Sequence, residues 1–112
     1  MIYLDNAATG GEKPASVQSA VLAAMKACAN PGRSGHARSL ACARQVIACR
    51  ELLSELFDGY GAERVVFTKN CTEALNIALL GTLKAGDHVV TTCLEHNSVL
   101  RPLAFLKRTK NI

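Results

Sequence analysis

"VVFTKNCTEALNIALLGTLKAGDHVVTTCLEHNSVL", residues 65–100, decides how this chain folds. Val65-Val66-Phe67-Thr68 is a short β-branched and aromatic run of the kind a parallel sheet buries. It runs directly into Asn70, a good helix N-cap, with Glu73 three residues later as in a capping box. Ala74, Leu75, Ala78, Leu79 and Leu83 then recur at helical spacing, and Lys84 and Gly86 mark the end. Asp87-His88 leads into a second strand-like run, Val89-Val90-Thr91-Thr92. A further helix begins near Asn97 and carries Val99, Leu103 and Leu106, with Pro102 tolerable only near its first turn. Strand, helix, strand, helix in that order predicts a right-handed βαβ crossover with parallel strands.

Upstream the pattern is helical. Ile2 and Leu4 lead into Asp5-Asn6-Ala7-Ala8-Thr9-Gly10-Gly11, an extended segment entering a loop. Pro14 sits where a first helical turn tolerates it. Val17, Val21, Ala24, Met25 and Cys28 predict a helix over about 14–29. Asn30-Pro31-Gly32-Arg33-Ser34-Gly35 breaks it. A longer helix follows over roughly 36–57, with Leu40, Ala43, Ile47, Leu53 and Phe57 on one face. Asp58-Gly59 closes it, Gly being the expected left-handed residue. The chain therefore reads as α/β, with an amino-terminal helical segment over 1–62 and the start of an α/β domain over 63–112.

Size and composition bound the function. A chain of 112 residues supports one sizeable core, hiding roughly two-thirds of its unfolded surface. Hydrophobic content of 49% excludes a disordered tail. Aromatic residues make up only 4%, so the core must rest on Ala, Leu and Val. Thirteen Lys and Arg against nine Asp and Glu give a net charge of +4. These cations are scattered apart from Arg101, Lys107, Arg108 and Lys110, too sparse for a nucleic-acid surface.

Five cysteines, at 28, 42, 49, 71 and 93, form no CxxC pair, so no metal site is expected. An odd number of thiols and a start without an apolar run point to a reduced, cytoplasmic protein. No window approaches the ~18 uncharged apolar residues a membrane helix needs.

In open α/β sheets, ligands sit outside the carboxyl ends of strands, beside helix N-termini. Two such ends are present, Lys69 to Thr72 and Cys93 to Ser98. The first offers helix-start amides and the Thr72 hydroxyl, a combination fit for phosphate. No GxxxxGK[ST] cradle is present, which excludes a P-loop nucleotide site. On spacing alone, Asn70 and Thr72 as simple helix caps are the favoured reading. His96 could likewise be a surface or capping residue.

The stretches "YLDNAAT", "NPGRSGH", "VVFTKNCTEALNIAL", "GDHVVTT" and "EHNSVLRPL" resemble the amino-terminal part of class V aminotransferase-fold enzymes, most closely the cysteine desulfurase and selenocysteine lyase branch. The resemblance spans essentially the whole chain, in order. It implies the first βαβα portion of a large domain that binds pyridoxal 5'-phosphate (PLP), an amino-acid substrate such as cysteine, and a homodimer. By the same resemblance Asn70, Cys71 and Thr72 would hold the cofactor's phosphate and His96 would lie against its pyridine ring. Residues 5–9 and 30–36 would border the substrate pocket and the subunit interface. Arg33 reads equally as a solvated loop charge.

Cys71 at a helix start favours thiolate, but a phosphate in the same turn would oppose that. The family's sulfur-accepting Cys, its Schiff-base Lys, the Asp on the pyridine nitrogen and the substrate-carboxylate Arg are expected beyond Ile112. No catalytic residue is therefore assigned here, and the 112-residue piece is expected to be inactive. His36 and His88 read as structural. The other four cysteines read as small packed side chains. The alternatives are a class V aminotransferase, a selenocysteine lyase, or a non-catalytic phosphate-ligand or interaction module. Open strand edges weigh against the module and predict that the piece self-associates.

Overall fold

The computed structural model describes residues 2–112. The chain divides into two compact units, Met1–Val65 and Val66–Ile112. Each is built from a pair of helices.

The first unit holds α1 (Ala15–Ala27) and α2 (Ala37–Leu56). Pro14 is the N-cap of α1, and its carbonyl accepts from the amides of Val17 at 3.0 Å and Gln18 at 3.2 Å. The helix stops at Ala27, ahead of the expected limit, because Cys28 turns extended (φ −52, ψ 130) on the approach to Asn30-Pro31-Gly32. The intervening loop is tied back where the Ser39 hydroxyl donates to the Asn30 carbonyl at 2.5 Å. His36 caps α2, its Nδ1 accepting from the Ser39 amide at 3.3 Å. That is the structural role expected of His36.

The end of α2 departs from expectation. The left-handed residue is Asp58 (φ 49), not Gly59. Asp tolerates that region better than most side chains. Gly59 serves close approach instead: a Cβ there would lie 3.0 Å from Ser54 Oγ and 3.4 Å from the Ser54 carbonyl oxygen. The Gly59 amide donates to that carbonyl at 2.7 Å, and the Gly61 amide donates to Ser54 Oγ at 3.0 Å. Ser54 is buried and fastens the exit of α2 to the single 3-10 turn Ala62–Arg64.

The second unit holds α3 (Cys71–Thr82) and α4 (Asn97–Lys110), packed on each other. Leu106 is fully buried, while Val99 and Leu103 from the same stripe are half-buried. Between the helices, the Asp87 amide donates to the Lys84 carbonyl at 3.2 Å with Gly86 at φ +85, a conformation Gly adopts freely. Asp87 Oδ2 accepts from the Lys84 amide at 2.7 Å. At the far end, Lys110 Nζ donates to the Leu83 carbonyl at 2.8 Å, satisfying an orphan group at the end of α3.

Pro102 is the sixth residue of α4, inside the helix rather than in its first turn. Its missing N–H forfeits the bond to the Ser98 carbonyl. The ring is buried, and that packing offsets the loss.

The expected strand pair is corrected by the structure: among the described residues there is no β-ladder, and residues 65–68 and 89–92 carry no regular secondary structure. Val65 does adopt extended backbone (φ −97, ψ 118). Two four-residue strands give few ladder bonds, and a parallel pair needs cover on both faces and further strands beside it. Here Val66 is 74% and Val90 86% exposed. The βαβα portion is thus present in its helices and absent in its sheet.

The apolar stripes of the first unit are also open. Val17, Val21 and Met25 on α1, Leu40 and Ile47 on α2 and Phe57 at its C-cap are all exposed. The cysteines follow suit: Cys28, Cys49 and Cys93 are exposed and Cys42 half-buried, so these four do not form the packed core side chains expected of them; Cys71 is exposed as well.

Candidate functional site

The turn that opens α3 is held by a reciprocal pair of side-chain bonds. Asn70 is extended (φ −164, ψ 169), and its Oδ1 accepts from the Glu73 amide at 2.8 Å. Glu73 Oε2 reaches back and accepts from the Lys69 amide at 2.7 Å. This is the capping box read from the sequence, displaced by one residue, since its return bond falls on Lys69 rather than on Asn70. Thr68 Oγ1 donates to the Asn70 carbonyl at 2.9 Å and braces the entry.

Asn70 therefore spends its side chain on the cap. The amides of Cys71 and Thr72 and the Thr72 hydroxyl have no hydrogen-bond partner among the described residues. Those three donors stand at the positive end of a helix. Cys71 is an exposed free thiol at the first position of α3.

His96 opens α4 in a similar manner. Its Nδ1 accepts from the Ser98 amide at 3.1 Å and lies 2.9 Å from Ser98 Oγ. The amides of Val99 and Leu100 donate to its carbonyl at 2.9 and 3.1 Å. With a backbone N–H on Nδ1, the neutral ring carries its proton on Nε2. The ring is exposed, so capping orients the imidazole without hiding its face.

Thr72 and His96 line one cavity of about 330 Å³, together with Asn76, Asn97, Ser98, Arg101 and Pro102. Asn70 and Cys71 do not line it. The volume lies at the lower end of the range for small-ligand clefts. Its wall holds no carboxylate and no lysine. Asn76 Nδ2 donates to the Thr72 carbonyl at 2.8 Å, which fixes that amide one turn below the hydroxyl. Sequence reading missed Asn76 and Arg101. The available signal was their spacing: each lies four residues after a singled-out polar position, Thr72 and Asn97, and so shares its helix face.

Residues 5–9 form a turn in the first unit. The Ala8 and Thr9 amides donate to the Asp5 carbonyl, both at 3.2 Å, and Tyr3 Oη donates to the Thr9 carbonyl at 2.7 Å. The Asn6 carboxamide oxygen accepts from the Gly11 amide at 2.9 Å. Among the described residues no group of three or more His, Cys, Asp or Glu could hold a metal ion. No described helix is long and apolar enough to cross a membrane.

Comparison with known proteins follows the same lines. A probable cysteine desulfurase of Synechocystis sp. is 32% identical over 106 residues, covering 91% of this chain and 25% of the relative. A probable cysteine desulfurase of Borreliella burgdorferi is 30% identical over 117 residues, covering all of this chain and 28% of the relative. A cysteine desulfurase of Bradyrhizobium diazoefficiens is 38% identical over 102 residues, 88% of this chain and 26% of the relative. The chain thus spans about a quarter of the length of the curated relatives it matches. No solved structure gives a significant match. The family model for aminotransferase class-V matches residues 2–112, and the chain belongs to that family.

Proposed function

We propose that these residues are the amino-terminal part of a PLP-dependent cysteine desulfurase, an enzyme that removes sulfur from cysteine and leaves alanine. The observation that carries this reading is the cavity shared by Thr72 and His96. Its residues fit part of the cofactor. The uncommitted Thr72 amide and hydroxyl match a phosphate, and the Cys71 amide, outside the lining, adjoins them in the chain. The capped imidazole of His96 offers an aromatic face to a heterocycle. When bound, PLP supplies an electron sink for the substrate's bonds. What this chain's residues do is narrower: Thr72 and the start of α3 anchor, and His96 orients. Asn70 contributes by holding the turn and Cys71 through its amide.

No lysine or carboxylate lines the cavity, so covalent attachment and the partner of the ring nitrogen belong to other parts of the protein. The 112-residue piece alone is accordingly assigned no turnover. In the whole protein, residues 65–68 and 89–92 become parallel strands of a large α/β domain beginning near residue 63, with 1–62 as an amino-terminal extension bordering the substrate pocket and a homodimer interface. Five free thiols, four of them exposed, support a reducing compartment such as the cytoplasm.

The test is product analysis. Full-length protein given PLP and L-cysteine is expected to release alanine in step with transferable sulfur. Release of neither, by a protein that has bound PLP, would move the reading to an aminotransferase acting on another amino acid.

Self-association of the isolated piece is a second expectation. The amides of Val89, Val90 and Thr91 have no hydrogen-bond partner among the described residues. Beside them lies a mainly apolar cavity of about 390 Å³, lined by Val89, Leu100, Leu103, Ala104 and Ile112 together with His88, Thr91 and Lys107. Exposed strand edges beside apolar surface recruit other chains. Sedimentation of the 112-residue chain is expected to show a mass that rises with concentration; a constant monomer mass contradicts this.

A further inference from the structure

We propose that Arg101 is an anion-binding residue of the same cavity, completing with Thr72 the grip on the cofactor's phosphate; this rests on the PLP reading above. The cavity lies at the starts of two helices. Thr72 is the second residue of α3, and Asn97 and Ser98 are the first two of α4. Both helix starts project positive potential into it. No Asp or Glu lines it to balance that potential.

Into this setting the fold adds a guanidinium. The Arg101 side chain forms no hydrogen bond, ion pair or ring contact among the described residues. Its position in the amino-terminal half of α4 gains nothing from the helix dipole. The basic residues Lys107, Arg108 and Lys110 sit in the last turn of α4, where the dipole favours cations. Arg101 sits near the opposite end, and the first turn of α4 holds no acidic residue to compensate. Helix stability therefore gives no reason for a cation there. An anion in the cavity does.

Asn97 and Arg101, four residues apart, share one face of α4, as Thr72 and Asn76 share one face of α3. The two faces form two walls of the cavity, α3 supplying hydroxyl and amide donors and α4 a five-donor fork. A phosphate dianion is the anion that satisfies both walls. Arg presents two parallel N–H groups to it, which Lys cannot do.

The experiment compares full-length wild type, Arg101→Gln, Arg101→Lys and Arg108→Gln by titration with PLP, followed by the cofactor's absorption and by intrinsic fluorescence, at low and high salt. Inorganic phosphate serves as competitor. Removing the guanidinium is expected to raise the PLP dissociation constant about tenfold and to weaken phosphate competition in parallel. Arg101→Lys is expected to recover part of the loss, since charge remains and the fork does not. Arg108→Gln removes the same net charge away from the cavity and is expected to change neither value. A double variant with Thr72→Ala is expected to lose less than the product of the two single effects, because both residues hold one anion.

Wild-type affinity in Arg101→Gln, with PLP still bound by wild type, overturns the assignment of Arg101 and leaves the cofactor reading standing. Equal losses in Arg101→Gln and Arg108→Gln also overturn it, as a general charge effect. A wild-type protein that binds no PLP removes the cofactor reading and this inference together.

Discussion

Full-length protein carrying both Thr72→Ala and His96→Ala is expected to bind PLP about a hundredfold more weakly than wild type, from two losses of roughly tenfold each. The Thr72 hydroxyl and its neighbouring amides have no partner within the described residues, so the hydroxyl is available for a charge-assisted bond. Such bonds contribute about 1.5–3 kcal/mol. Ring stacking by His96 contributes about 0.5–1.5 kcal/mol beyond its buried area. His96 has a second task, since its Nδ1 caps α4. An Ala there also removes a cap, which costs about 1 kcal/mol of stability. His96→Asn separates the two, because Asn caps well but presents no aromatic ring. Asn at 96 should restore the melting temperature and leave PLP weakly held. If the Asn variant binds PLP as wild type does, His96 is a cap and nothing more. If Thr72→Ala has no effect on affinity, the phosphate is held elsewhere.

The parts of this picture that were legible in the sequence are the ones local chemistry decides. Asn70 and Glu73 announce a helix start because a carboxamide three residues before a free amide meets it within one turn, and the structure has that bond at 2.8 Å. Pro14, Asn97 and the stripe Val99, Leu103 and Leu106 placed helices for the same reason. Residues 65–68 and 89–92 form no ladder in this stretch because a strand is not a local object. Its ladder needs a neighbour, and propensity at Val89-Val90 cannot supply one.

The cysteines and the stripes of α1 and α2 failed similarly: apolar character predicts that a residue should be covered, not that this stretch covers it. Arg101 and Asn76 escaped because their relevance comes from two helices facing each other. Thr72 and Arg101 are 29 positions apart, and nothing in the intervening residues signals that they line one cavity. Gly59 shows a subtler miss. The residue type at a helix exit was right, but its use is the close approach of Ser54 rather than a left-handed turn.

The second large effect is structural. Leu106→Ala in the 112-residue chain is expected to lower unfolding free energy by about 3 kcal/mol, within the range for deleting a buried leucine side chain. Leu106 is the one fully buried large apolar residue among those described, and it sits in the unit where α3 packs on α4. A chain of this length holds on the order of 5–15 kcal/mol in total, so the loss is a large share. The other large apolar side chains on these helices are half-buried or exposed: Phe105, the preceding residue and 49% exposed, should give a smaller change when truncated. Leu106→Met keeps the volume and is expected to cost less than about 1.5 kcal/mol. The measurement is chemical denaturation followed by helical circular dichroism, with all three variants at one protein concentration, because association would add to apparent stability. The consequence reaches the site. Thr72 on α3, the α4 cap His96 and Arg101 on α4 share a cavity only while the two helices stay docked, and among the described residues the Lys110 to Leu83 bond is the sole side-chain hydrogen bond joining the α4 end to the α3 exit. Leu106→Ala in the full-length protein should therefore weaken PLP binding without touching the cavity wall, and Phe105→Ala should not. Equal stability losses at 105 and 106 would mean that the docking of α3 and α4 does not depend on this one buried side chain.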